Sequence, residues 1–182
     1  MSTSSISRRM ESCIAAFQAN DYESALIHYF PALDKTAKRR RPNGGVGARI
    51  RNFLDDELDI ISHIATRNIF RVECDGVSFP QAIYKFARTS IAHEGELDQR
   101  INFNNHNGVS IGQTWNLPPS FIIGLIFAVL LAPENRNERF EKQYVVSIHG
   151  TKFNLGELWG ERQKIRDWME NEYGHPIFQS RP

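Results

Sequence analysis

As far as residue 97 the apolar residues recur every three or four positions, and beyond it the period shortens towards two. The longer period belongs to amphipathic helices and the shorter to strands. Ile6, Met10, Cys13, Ile14 and Phe17 mark a first helix over residues 5–19, which Asn20 and Asp21 interrupt. Asp21 can cap a second helix, whose inner face carries Tyr22, Ala25, Leu26, Tyr29, Phe30 and Leu33. Pro31 should kink that helix, because proline removes a backbone donor. It ends in Lys38, Arg39, Arg40 and Arg41, ahead of the loop PNGGVG. A third helix carries Val46, Ile50, Phe53, Leu54, Leu58, Ile61 and Ile64. After an irregular or briefly extended stretch, IFRVECDGVSF, a fourth spans 79–97 with Phe79, Ile83, Phe86, Ala87 and Ile91 inward. Gly95 is well placed as its left-handed C′ residue.

The alternating part begins with INFNNHNGVSIGQTWNL, a hairpin expected to turn at Asn107-Gly108. FIIGLIFAVLLA, residues 121–132, is bounded by Pro118, Pro119 and Pro133. A membrane span needs about 20 residues, so this run predicts a buried core helix. A charged link, ENRNERFEK, leads to a second hairpin, YVVSIHGTKFNL, turning at Gly150. A final helix over about 156–173 presents Leu158, Trp159, Ile165, Trp168 and Met169, and GHPIFQSRP follows as a loose tail. No internal repeat or low-complexity linker calls for a second domain. The expected fold is mainly α with small β-hairpins, in one domain over 1–182. Residues 5–97 form its core bundle, 98–174 the hairpins and packing helices, and 175–182 the tail.

Composition narrows the class without naming a function. With 41% hydrophobic and 24% charged residues, the chain has the balance of an ordinary soluble globule. A net charge of +1 speaks neither for nor against nucleic acid, so any RNA site has to be a local patch. Cys13 and Cys74 have no CxxC spacing, which suits a reducing cytosol and excludes a cysteine zinc cluster. The start, MSTSSISRRMES, is followed by an amphipathic stretch instead of an apolar one, so no targeting segment is read. The expectation is a cytoplasmic protein without a membrane partner.

The candidate chemistry lies in FPQAIYKFARTSIAHEGEL, residues 79–97. Arg88 and His93 stand five positions apart near the end of this helix. A guanidinium can neutralise a phosphate, and an imidazole can move the protons of an attacking 2′-hydroxyl and a leaving oxygen. Spacing alone does not select the pair, since Arg100 and His106 stand six apart across the first hairpin. Two features do. The helix should stop at Gly95, leaving His93 at the end of the macrodipole that favours a cation. The helical neighbours of Arg88, Tyr84, Lys85, Ile91 and Ala92, include no acid. On an ideal helix the two side chains diverge by about 140° and differ by about 7.5 Å in height, so they converge poorly within one helix. Two helices about a two-fold axis could bring both pairs to one cleft, which predicts a homodimer. The structural alternatives are a solvated helix charge for Arg88 and a C-terminal cap for His93.

Other constellations add less. Glu94, Glu96 and Asp98 follow His93, but HEGEL is not HExxH, and no metal site or cofactor is expected. GGVGAR lacks the spacing and the lysine of a phosphate loop. Lys38, Arg39, Arg40 and Arg41 form the one cationic run; it is either a solvated helix end or a track for an RNA backbone. Trp115, Trp159 and Trp168 fit the core or hairpins better than a stacking platform.

ARTSIAHEGEL, preceded by YESALIHYFPALDKTAKRRR and followed by INFNN…GVSIGQTWNLP and FIIGLIFAVLLAPEN, resembles the HEPN superfamily. The closer likeness is to a plasmid- and phage-borne branch of predicted ribonucleases, over roughly residues 5–160. That resemblance implies an antiparallel bundle of four to six helices with two hairpin additions. It also implies a metal-independent endoribonuclease that leaves a 2′,3′-cyclic phosphate and a 5′-hydroxyl. Arg88 matches the family arginine and His93 the family histidine. Members often place Asn, Asp or His after the arginine, where this chain has Thr89, whose hydroxyl could orient the imidazole. The implied partners are RNA, a second copy and an antitoxin protein, in toxin or anti-phage defence. Members without strong activity are binding or dimerisation modules.

Overall fold

Two side-chain caps set out the first helical pair. Ser4 accepts from the N–H groups of Ile6 and Ser7 at the start of α1 (Ser5–Gln18). Asp21 accepts from the Ser24 N–H at 3.0 Å at the start of α2 (Tyr22–Arg40). Such caps are each worth about 1 kcal/mol. The chain seen in this computed structural model comprises residues 4–104 and 108–178. α2 runs on through Pro31, which is exposed.

The predicted third helix is divided. α3 (Val46–Asp56) and α4 (Leu58–Thr66) meet at Glu57, a fully buried residue outside both. Beyond α4, β1 (Glu73–Cys74) and β2 (Val77–Ser78) pair around Asp75 and Gly76, both at positive φ. The fourth helix follows without a break as α5 (Phe79–Ala82), a π-helical segment (Ile83–Thr89) and α6 (Ser90–Glu94). Gly95 ends it at φ 81°, as its position in the sequence predicts.

The first expected hairpin is a three-stranded sheet instead. β3 (Ile101–Phe103) pairs in parallel with β5 (Trp115–Leu117), and β4 (Ser110–Ile111) pairs antiparallel with β5. The antiparallel turn is therefore at Gly112–Thr114, where Gly112 N–H donates to Thr114 O at 3.2 Å. Asn107 lies outside the described residues. Alternation identifies strands but says nothing of partner or direction, which here are set by contacts across the fold. The second hairpin is as expected: β6 (Val145–Ile148) and β7 (Thr151–Asn154) turn through His149 and Gly150, both left-handed.

α7 (Ser120–Leu131) is the buried run between prolines, with nearly every side chain in the core. It crosses α4 at Gly124, where a Cβ would lie 2.6 Å from the Ile61 carbonyl oxygen. Only glycine permits that approach. α8 (Arg162–Tyr173) starts later than expected, yet Leu158 and Trp159 ahead of it are buried all the same. The tail is partly anchored, since the N–H groups of Ile177 and Phe178 both donate to Glu170. Buried side chains from Ile6 to Met169 form one apolar cluster, in a mainly α fold with small β additions. Among the described residues, no helix is long and apolar enough to cross a membrane.

Candidate functional site

Arg88 and Thr89 close the π-helical segment, and His93 stands in the last turn of α6. π-helical insertions are uncommon and concentrate at functional sites. Within this segment the Thr89 hydroxyl donates to the Tyr84 carbonyl at 2.9 Å. Thr89 therefore spends its one donor on the backbone five residues earlier, not on His93. The imidazole of His93 is exposed and makes no hydrogen bond among the described residues.

Arg88 is partly buried, and its guanidinium carbon lies 5.8 Å from the centre of the Tyr84 ring. Arg51, from α3, approaches the same ring at 5.1 Å. Among the described residues neither arginine has a carboxylate partner. Tyr84 precedes Arg88 by four on one helix, a contact that helical spacing makes legible. Arg51 is a residue that sequence reasoning missed, because nothing local announces a partner from another helix.

The basic run is not a free cationic track. Arg39 donates to Asn135 Oδ1 at 2.8 Å and pairs with Glu138 at 2.9 Å. Arg40 pairs with Glu57 at 2.7 Å, Glu134 at 2.8 Å and Asp56 at 3.1 Å, over the Phe53 ring. Arg41 takes both oxygens of Asp56 at 2.8 and 3.1 Å. Lys38 stays exposed. Burial pushes the Glu57 carboxyl above the ordinary carboxylate range, against the pull of Arg162 and Arg40. Of the four residues expected to bind RNA, Lys38, Arg39, Arg40 and Arg41, the three arginines are already paired with acids of the same chain. Their charge is met within the protein, by acids from α3, from the α3–α4 junction and from the segment after α7.

Of the second arginine–histidine pair, the arginine is engaged locally. Arg100 is bound to Asp98 at 2.5 and 2.9 Å and lies over Phe86, while His106 is outside the described residues. The Arg100 guanidinium holds the Asp98 carboxyl down at about 2. With Asp98 so engaged, the acids after His93 do not gather as ligands. Among the described residues no three His, Cys, Asp or Glu side chains converge in a metal-binding group.

Two hollows lie elsewhere. An apolar one of about 90 Å³ is lined by Phe17, Ile126, Phe127 and Val146, among others. An open polar one of about 200 Å³ has Arg51, Asn52 and Asp55 on one side and Ser78, Pro80 and Gln81 on the other. A buried histidine was also missed. His63 Nε2 meets Glu172 at 3.1 Å and its Nδ1 meets the Tyr173 hydroxyl at 3.3 Å, while His149 Nε2 lies 2.8 Å from the His63 carbonyl. His63 sits on the apolar face of α4, and no pattern in the sequence separates it from any other buried position.

The profile of the Rv1289 family matches residues 5–180, nearly the whole chain. The chain belongs to the Rv1289 family. Its relatives include uncharacterized protein Rv1289 of Mycobacterium tuberculosis, strain H37Rv, and uncharacterized protein Mb1320 of Mycobacterium bovis. Each is 27% identical over 168 residues, covering 80% of this chain and 79% of the relative. No solved structure matches this Rv1289-family chain.

Proposed function

We propose that this chain is a metal-independent endoribonuclease of the HEPN type, acting as a cytoplasmic homodimer. The observation that carries it is a partly buried arginine at the end of a π-helical turn, five residues before an exposed histidine; among the described residues the arginine has no carboxylate partner and the histidine no hydrogen bond. Arg88 binds the scissile phosphate and offsets charge as the transition state forms. His93 accepts the proton of the attacking 2′-hydroxyl as its oxygen bonds to phosphorus. The bond from phosphorus to O5′ then breaks, and O5′ takes up a proton, leaving a 2′,3′-cyclic phosphate and a 5′-hydroxyl. RNA cleavage of this kind suits a toxin or an anti-phage factor held by an antitoxin protein.

The test is RNA incubated with purified protein in excess EDTA. Wild type is expected to cleave, and His93→Ala and Arg88→Ala are each expected to lose activity by about 100-fold or more. Equal degradation by wild type and His93→Ala, or none by either, sinks the assignment. One observation favours a non-catalytic RNA-binding or dimerisation module instead: the Thr89 hydroxyl is committed to Tyr84 and does not orient the imidazole. RNA bound tightly but left intact would decide for that module.

A further inference from the structure

We propose that Arg51 is a second phosphate-binding residue of the Arg88 site, held in place by Tyr84, and that it takes a phosphate neighbouring the one at Arg88. This rests on the reading of single-stranded RNA as substrate. Two guanidiniums from different helices share one aromatic ring, at 5.1 and 5.8 Å from its centre. The face of an aromatic ring attracts cations, so the ring can hold two like charges near each other. Neither charge is met by an acid among the described residues. Arg49, two residues before Arg51 on the same helix, shows the contrast: it is clamped to Asp34 at 2.7 Å.

The cluster is also held close against the backbone. A Cβ on Gly47 would lie 2.9 Å from both Arg51 Nη1 and the Tyr84 hydroxyl, so the first turn of α3 presses directly on the pair. Less is then lost in ordering Arg51 when an anion binds. Arg51 also lines the open polar hollow of about 200 Å³, which leaves room for a ribose-phosphate beside it. The one acid on that rim, Asp55, is paired with Arg71 at 2.6 Å, so its charge is already met. Paired cations that meet no counter-charge among the described residues, beside an open polar hollow, fit adjacent phosphodiesters of a single strand better than an isolated anion.

The experiment measures binding by fluorescence anisotropy over a range of salt, in EDTA. The probes are a 2′-O-methyl RNA oligonucleotide, which cannot be cleaved, and a DNA oligonucleotide of the same sequence. Each phosphate contact on a single strand contributes about 0.7 to the slope of log affinity against log salt. Arg51→Gln is expected to lower that slope by about 0.7 on both probes, because a phosphate contact does not read the 2′-hydroxyl. Arg51→Lys is expected to keep the slope, since a point charge still meets the phosphate. Tyr84→Leu is expected to weaken binding with both arginines present. If Arg51→Gln keeps the wild-type slope while Arg88→Gln loses it, the Arg51 assignment fails and the ribonuclease reading stands. No binding by wild type, together with no cleavage of ordinary RNA, overturns both. A slope lost in Arg51→Gln and also in Arg51→Lys points to a folding defect; a thermal melt matching wild type would then count against the phosphate role.

Discussion

Arg40 and Arg88 show how differently one side-chain type can be used. Arg40 is nearly enclosed, stacked over Phe53, and together with Arg162 it meets the charge of the fully buried Glu57. Removing Arg40 leaves Glu57 with Arg162 as its remaining guanidinium and takes the charged hydrogen bonds from Glu134. Arg40→Ala is therefore expected to destabilise the fold by about 1.5–3 kcal/mol, read from urea denaturation. Arg88 meets no carboxylate among the described residues, so Arg88→Ala is expected to change stability by less than about 0.5 kcal/mol while, on the proposed reading, cleavage falls by about 100-fold or more. Equal stability losses in the two variants would mean that Arg88 also serves the fold. The solvated-charge alternative for Arg88 and the free-track alternative for the basic run look equally plausible along the chain. The contacts separate them. The acids that meet Arg39 and Arg40 lie up to about a hundred residues away, where helical spacing gives no view.

At the scale of elements, what was legible was what is local. The cap at Asp21, the stop at Gly95, the buried α7 and the β6–β7 turn all follow from neighbours in sequence. The break at Glu57, the parallel β3–β5 pairing and the π-helical segment depend on contacts made only after the chain has folded. The junction at His63 belongs to the second group: α4, α8 and the β6–β7 turn meet there, with His149 stacked on Trp168. Burial holds the His63 imidazole below its ordinary value, against the pull of Glu172. Burial and Arg9 do the same to His28. A histidine kept neutral by folding takes up its proton more readily when unfolded, so the unfolded state binds more protons and stability rises with pH. Urea midpoints are thus expected to fall as pH drops below about 6.5, well above the range in which carboxylates titrate. His63→Gln should flatten that part of the profile. An unchanged slope in the variant would show that His63 stays protonated in the folded protein.

For the whole molecule, the near-zero net charge goes with internal pairing of many arginines, Arg39, Arg40, Arg41, Arg49 and Arg162 among them, while Arg51 and Arg88 meet no acid among the described residues. Arg88 and Thr89 lie in the π-helical segment and Ser90 to His93 in α6. On an ideal α-helix five residues would set the two side chains about 140° apart and offset them by about 7.5 Å. On the proposed reading, one chain on its own then offers a phosphate-binding arginine and a proton-transferring histidine that converge poorly. The proposed two-fold axis would repair this by setting Arg88 of one protomer against His93 of its partner. Mixing the two inactive variants tests that directly. Arg88→Ala protomers retain the histidine and His93→Ala protomers retain the arginine, so neither can form the pair within itself. Unfolded together in equal amounts and refolded, about half of the dimers are mixed, and each mixed dimer restores one of its two pairs across the interface. The refolded mixture is therefore expected to recover about a quarter of wild-type cleavage, and to lose it on dilution as the dimer dissociates. If the mixture stays as inactive as its components while wild type cleaves, each site is built within one chain, and α6 must bend in solution to close it.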